Sequence, residues 1–242
     1  MSGSLGGRPP GAGPLADPRL ARGMAAQMGL RKTALAEGFR PIGWKVGFGS
    51  AAGLAKLGIA APLVGFLLER AVVASGGTVS LAGFAMPVAE PEIAVEIGTD
   101  LPGGGDEAAA AAAIAALGPA FELADFAPLD DPEAILSGNI FQRHVVFGPR
   151  QPRPGGATDG LVSTVRRNGA PIPAPADVTA NTGRLPMIVR HVADTLAALG
   201  ETLRAGDVII AGSITAPLML TAEDRLLEHA LDPLGEVSVR FG

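Results

Sequence analysis

The chain has 242 residues, a formal net charge of -5 and no cysteine. Disulfides, thiolate metal sites and cysteine nucleophiles are therefore excluded, and a mildly acidic chain without a basic block is poorly suited to nucleic acid. Hydrophobic residues make up 48 % and aromatics 4 %, so a sizeable core has to be built from small aliphatic side chains.

Residues 1–18 are rich in Gly and Pro and carry no apolar run. They read as neither signal peptide nor membrane anchor, and predict a disordered tail ahead of a single domain over 19–242. The longest uncharged apolar stretch, 208–222, is short for a membrane span and contains Gly212 and Pro217. A cytoplasmic protein with no membrane partner is expected. Residues 20–38 predict a helix with Met24, Met28, Leu30 and Leu35 near one face and Gly38 to stop it. Residues 42–48 read as a strand carrying Trp44 and Lys45, and 50–57 as a helical turn closed by Gly58. Strand and turn follow over 64–73, then Gly76-Gly77 predicts a hairpin turn into 78–82.

The next strand, 86–98, contains Ala89-Glu90-Pro91-Glu92-Ile93-Ala94. In an extended chain, side chains alternate with a period of two, so Glu90 and Glu92 share a face and Pro91 takes the other. Two adjacent carboxylates repel unless a cation lies between them. A hard divalent ion with oxygen ligands is the usual solution. On spacing alone, a solvated strand face is the competing explanation.

Residues 101–105 form a loop, and Asp106 is placed to cap an alanine-rich helix over 107–117. Gly118 ends that helix, and 119–124 is a strand. Within it Glu122 lies between Phe121 and Leu123, and a buried lone glutamate is costly without a cation. Strands over 144–147 and 161–167 flank a Pro/Gly-rich loop. Residues 186–199 predict a helix with Pro near its start and Gly200 just past its end. A buried strand follows over 207–212, and two strands around turns complete 218–241. The pattern is α+β, with helices flanking a rolled, mostly antiparallel sheet. His144, His191 and His229 lack metal-ligand spacing.

Several motifs occur in a fixed order: Gly43-Trp44-Lys45-Val46-Gly47, Leu57-Gly58-Ile59, Pro62-x-x-Gly65-Phe66-Leu67, Glu90-Pro-Glu92-Ile-Ala, Asp100-Leu-Pro102, Pro119-Ala-Phe-Glu122, and a final run from Leu203 through Gly206-Asp207 and Gly212-Ser213-Ile-Thr215. Together they resemble the 2-keto-4-pentenoate hydratase / 4-oxalocrotonate decarboxylase family of the fumarylacetoacetate hydrolase superfamily, over roughly residues 20–242. The resemblance implies a fumarylacetoacetase C-terminal-like fold. It also implies one Mg²⁺ or Mn²⁺ held by Glu90, Glu92 and Glu122. That ion would bind a small keto acid in bacterial aromatic-compound catabolism, with water added or CO₂ removed through a metal-bound enolate. The family lysine falls on Lys45, implied to bind substrate carboxylate or move a proton. Ser213 and Thr215 fall where the family lines its pocket with hydroxyls. A homo-oligomer is implied, with association to a partner pathway enzyme as a further option.

Three segments depart from the family pattern. Where the hydratases carry an acid in proton transfer, this chain has Arg70, with Glu69 beside it as the substitute. The pocket loop before the last helix is here residues 175–184, and the acidic-Asn pair is replaced in Ser137-Gly138-Asn139. Hydration and decarboxylation therefore both stay open. So do a superfamily hydrolase, an oxaloacetate-type decarboxylase and a non-catalytic partner subunit.

Overall fold

The structure is a computed structural model and describes residues 13–242. Helix α1 (Pro18–Ala36) starts at Asp17, whose carboxylate accepts the Arg19 N–H. Strand β1 (Pro41–Gly47) leads to α2 (Ala51–Leu57), capped by the Ser50 hydroxyl and closed by Gly58 in the left-handed region. Next come β2 (Leu63–Leu68), β3 (Val72–Val73) and β4 (Thr78–Val79). The long strand β5 (Pro87–Ile97) is followed by α3 (Glu107–Ala113), β6 (Ile114–Asp125) and α4 (Pro132–Ser137). Strands β7 (Gln142–Phe147), β8 (Gln151–Pro152), β9 (Val162–Arg167) and β10 (Ala170–Ile172) precede α5 (Leu185–Ala197). Strands β11 (Val208–Ser213), β12 (Leu218–Met219), β13 (Leu226–Asp232) and β14 (Gly235–Phe241) complete the chain.

The larger sheet runs β2-β1-β11-β5-β6-β7-β3, with β12 added on β5 and β8 on β6. The smaller runs β10-β9-β13-β14-β4. Pairing is mostly antiparallel, and the parallel exceptions are β1 with β11, β3 with β7 and β14 with β4. This is the α+β arrangement around a mostly antiparallel sheet expected from the sequence.

The alternation along β5 assigns its two faces. Ala89 packs with Phe121, Leu123 and the smaller sheet, while Ile93, Val95 and Ile97 meet α5 through Ile188, Val192 and Leu196. The other face points into the roll, where Leu67, Ala94, Ala120, Val145, Val208 and Ile210 form a separate apolar cluster. Helix α5 presents its buried side chains at three- and four-residue spacing.

Several expectations are corrected. The tail predicted through Pro18 ends earlier: Leu15 packs beside Leu20 and Met24, and Asp17 caps α1. The remainder of that prediction, residues 1–12, lies outside the described residues. Leu30 is 51 % exposed, and Gln27 is buried instead because its amide donates to the carbonyls of Val64 and Leu136. The Gly76-Gly77 turn makes no hairpin; β3 pairs with β7, and β4 pairs with the terminal strand β14. The alanine-rich helix stops at Ala113 rather than 117, because residues 114–125 pair along the length of β5. Two-strand pairing outweighs the helix propensity of alanine there.

Candidate metal centre

Glu90 lies directly opposite Glu122 across the β5–β6 pair, and Glu92 is opposite Ala120. All three carboxylates therefore point into the roll, and each offers an oxygen within 4.8 Å of the others. Glu92 and Glu122 are buried, while Glu90 is partly open to a cavity of about 250 Å³. Burial, then the nearby Glu122 charge, pushes the Glu90 carboxyl up to about 7. The same causes hold Glu92 well above the usual carboxylate range. Burial also raises Glu122, against the pull of Lys45. Three carboxylates at this separation favour protonation unless positive charge joins them.

Part of that charge is Lys45, which is 1 % exposed. Its Nζ is ion-paired with Glu122 and donates to the Ile140 carbonyl at 3.1 Å. Lys45 faces Gly65 on β2, so no neighbouring side chain crowds its stem from that strand. Glu92 accepts the Gly212 N–H at 2.6 Å. Gly212 has φ 93°, in the left-handed region, at the irregularity that interrupts β11 pairing before Ser213.

Two buried oxygens in this region lack partners: Glu122 Oε2 and Ser213 Oγ. An all-oxygen set of three carboxylates with an orphaned buried oxygen matches the ligand chemistry of a hard divalent ion. The residues present therefore fit the metal that the sequence implied, and Glu90, Glu92 and Glu122 are the residues that could hold it.

The expected substrate residues divide. Lys45 and Ser213 line the cavity. Thr215 does not: it lies beyond the end of β11, and its hydroxyl donates to the Ala216 carbonyl at 2.9 Å. Glu69 is also not brought to the site. It sits in a 3₁₀ turn after β2, where it accepts from the Arg40 side chain at 2.7 Å and the Arg40 N–H at 3.1 Å. Hydrogen bonding from Arg40 lowers its carboxyl. Arg70 stacks on Phe39 with its guanidinium 4.3 Å from the ring centroid.

Other contributors were named in the sequence only as parts of segments that depart from the family pattern, without a role of their own. Asn139 closes the outer edge of β2, accepting from the Phe66 N–H at 2.9 Å and donating to the Phe66 carbonyl at 3.0 Å. It begins a run of positive φ through Phe141, which aims the Ile140 carbonyl at Lys45. A β-branched residue at φ 53° is an outlier that sequence gives no sign of. Asn181 donates to the Ser213 carbonyl at 2.7 Å and to that of Thr215 at 3.5 Å, fixing the turn below the cavity. Its loop was recognisable as a pocket loop, but its individual role was not.

The model of the fumarylacetoacetate (FAA) hydrolase C-terminal family matches residues 49–241. The chain belongs to this family. Among curated relatives, a 4-oxalocrotonate decarboxylase from Pseudomonas sp is 30 % identical over 187 residues, covering 76 % of this chain and 72 % of the relative. A 2-hydroxyhexa-2,4-dienoate hydratase from Comamonas testosteroni is 30 % identical over 217 residues, covering 85 % and 80 %. A solved 4-oxalocrotonate decarboxylase from Pseudomonas putida G7, complexed with magnesium and adipate, superposes with a TM-score of 0.84 at 28 % identity, covering 92 % of this chain and 86 % of that one.

Within this FAA hydrolase C-terminal chain the family match begins after β1, so Lys45 is attached to the site by geometry. Parallel pairing of Lys45 with Ile210 on β11 places it beside the strand that carries Gly212 and Ser213. Walls of Phe48, Phe126, Ile140 and Pro62 make the cavity apolar above its charged floor. No helix among the described residues is long and apolar enough to cross a membrane.

Proposed function

We propose that this protein is a divalent-metal-dependent lyase for a small 2-oxo or 2-hydroxydienoate acid, acting by hydration or by decarboxylation. The observation that carries the reading is the meeting of Glu90, Glu92 and Glu122 beside buried Lys45, at the floor of a cavity with apolar walls. Relatives of both activities lie within the family, and a solved relative holds magnesium with a dicarboxylate.

A divalent ion held by the three glutamates would polarise the 2-oxo group and offset the negative charge that develops on it. Mg²⁺ or Mn²⁺ suits the oxygen donors. Lys45 supplies an ammonium group whose donors are directed by Glu122 and the Ile140 carbonyl, so Nζ is the group placed to hold or deliver a proton. Ser213 Oγ, without a protein partner, is free to hydrogen-bond an oxygen of the acid. The aromatic and proline walls limit water around the carbon chain.

None of the three histidines is among the residues that line the cavity. The cytoplasmic homo-oligomer implied by the family resemblance is retained as part of the proposal.

The test is to incubate metal-stripped protein with 2-hydroxypenta-2,4-dienoate and, separately, with 4-oxalocrotonate, each with and without Mg²⁺ or Mn²⁺. Metal-dependent loss of the conjugated chromophore, with a hydrated or CO₂-depleted product by mass, supports the lyase. Retained metal binding with no turnover of either acid would instead favour the partner-subunit alternative.

A further inference from the structure

The turn that supplies the second acceptor of Lys45 is strained, and a side chain that does not line the cavity holds it in place. Asn139, Ile140 and Phe141 have φ of 54°, 53° and 62°. Asn tolerates this left-handed region and a β-branched residue does not, so the run persists only where its surroundings impose it. Two constraints do so. The Ile140 side chain is buried with Met24, Leu63 and Leu136. The Asn139 amide takes both backbone groups of Phe66, accepting from its N–H at 2.9 Å and donating to its carbonyl at 3.0 Å. Phe66 follows Gly65, the residue opposite Lys45 across the β1–β2 pair. A Cβ at Gly65 would meet Asn139 Oδ1 at 2.8 Å and Lys45 Cγ at 2.9 Å, so amide and lysine stem pass over the same glycine.

Closing a sheet edge would by itself explain an amide at this place. Strand β2 is the edge of the larger sheet, and its backbone groups need partners. Gln27 meets that need two residues earlier, donating to the Val64 carbonyl at 3.2 Å. Asn139 differs from Gln27 in one respect: its own backbone opens the turn whose next carbonyl, that of Ile140, accepts from Lys45 Nζ at 3.1 Å. The consequence falls on the ammonium group, which has three donors. Glu122 and the Ile140 carbonyl take two of them. One is left for the cavity that Lys45 lines. A single bond to Glu122 would let the ammonium turn about that bond. The second bond fixes where the remaining proton points.

We propose that Asn139 is a positioning residue for the reaction: by holding its turn against Phe66 it keeps the Ile140 carbonyl on Lys45 Nζ, and so directs the remaining ammonium proton at the substrate. The proposal rests on the lyase reading of the cavity and assigns the aim of its proton-holding group.

Two measurements test it. The first needs neither substrate nor metal: the Lys45 ammonium signal in ¹H–¹⁵N spectra of the metal-free protein, identified by its loss in Lys45→Met. Lys45 is buried, whereas Lys32 and Lys56 are exposed and exchange their protons rapidly with water. Asn139→Gly keeps the backbone freedom of the turn and removes only the amide. It should shift and broaden the Lys45 signal. Gln27→Leu should lower the melting temperature and leave that signal in place. An unchanged signal in Asn139→Gly, or the same change in Gln27→Leu, overturns the proposal. The second is steady-state kinetics of the Mg²⁺-loaded protein on 2-hydroxypenta-2,4-dienoate and on 4-oxalocrotonate. Asn139→Gly should lower kcat by roughly thirtyfold with KM within about twofold. In a Lys45→Met background it should cost nothing more, because the effect travels through Lys45. Asn139→Asp keeps the acceptor for the Phe66 N–H; it should recover part of the loss, and it replaces Asn139→Gly in both measurements if the glycine variant does not fold. Additive losses in the double variant overturn the proposal. Turnover of neither acid by wild type overturns the lyase reading and the catalytic part of the proposal, while the Lys45 signal still decides whether Asn139 directs Nζ.

Discussion

Gly65 lies directly across the β1–β2 pair from Lys45, and the lysine stem fills the space a side chain at position 65 would need. A Cβ there would come within 2.9 Å of Lys45 Cγ and 2.8 Å of Asn139 Oδ1. Gly65→Ala should therefore destabilise the fold by about 1–3 kcal/mol through overpacking. It should also displace Lys45 and lower turnover. Denaturant unfolding checks the first effect, and steady-state kinetics at a temperature where the variant is folded checks the second.

The three glutamates make a prediction independent of any substrate. Glu90→Gln, Glu92→Gln and Glu122→Gln should each remove most of the thermal stabilisation given by Mg²⁺ or Mn²⁺. In wild type that stabilisation should grow as pH rises toward 8, because the Glu90 carboxyl is held up at about 7 and protons compete with the ion below it. Shifts of equal size in wild type and variants would remove these residues as ligands.

Lys45 is separable from the ion. Lys45→Met should keep a Mg²⁺-dependent melting shift but lose activity by about a hundredfold, the usual size of a proton-transfer contribution. The metal-free variant should melt lower than metal-free wild type, because Glu122 loses its buried partner. Kinetics and thermal melts on the same preparation distinguish the two effects.

Glu69 provides a negative prediction. It is paired with Arg40 and does not line the cavity. Glu69→Gln should leave kcat and KM within about twofold of wild type, the scale of a surface substitution. A loss comparable to that of Lys45→Met would return Glu69 to the site.

His229 sets a pH dependence of stability. It is buried between the sheets, with its ring against Phe121 and its nitrogens near Ser163 Oγ and the Ala120 carbonyl. Burial lowers its pKa from the ordinary 6.5 to about 4. The unfolded chain therefore binds the proton first. The neutral histidine's contribution is complete above pH 6.5 and is lost as pH falls toward 4, by about 3 kcal/mol in all. His229→Gln should flatten that part of the stability profile. Urea unfolding of both proteins across this range gives the difference directly, since other titrating groups are common to both.

Much of the frame was legible locally. Gly58 and Asp106 close or cap helices where backbone freedom or the side chain predicts it. Helix α5 follows its apolar spacing to within two residues at each end. The shared face of Glu90 and Glu92 needs only the period of an extended chain. Failures fell where a distant segment decided the outcome. The end of α3 was set by β5, the partners of β3 and β4 by β7 and β14, and the position of Glu69 by Arg40.

The sequence by itself determined which residues could form the centre: paired carboxylates on one strand face, a third carboxylate in an apolar strand, and a lysine flanked by Trp44 and Val46. Periodicity and residue chemistry are properties of neighbouring positions, and they survive any change in the rest of the fold. Only the tertiary structure decided that Glu122 stands opposite Glu90, that Lys45 reaches Glu122 and the Ile140 carbonyl, and that Ser213 faces the cavity while Thr215 does not. Strand register and backbone turns at Gly212 and Ile140 set those relations. They join positions tens of residues apart through packing and hydrogen bonds that local sequence does not encode.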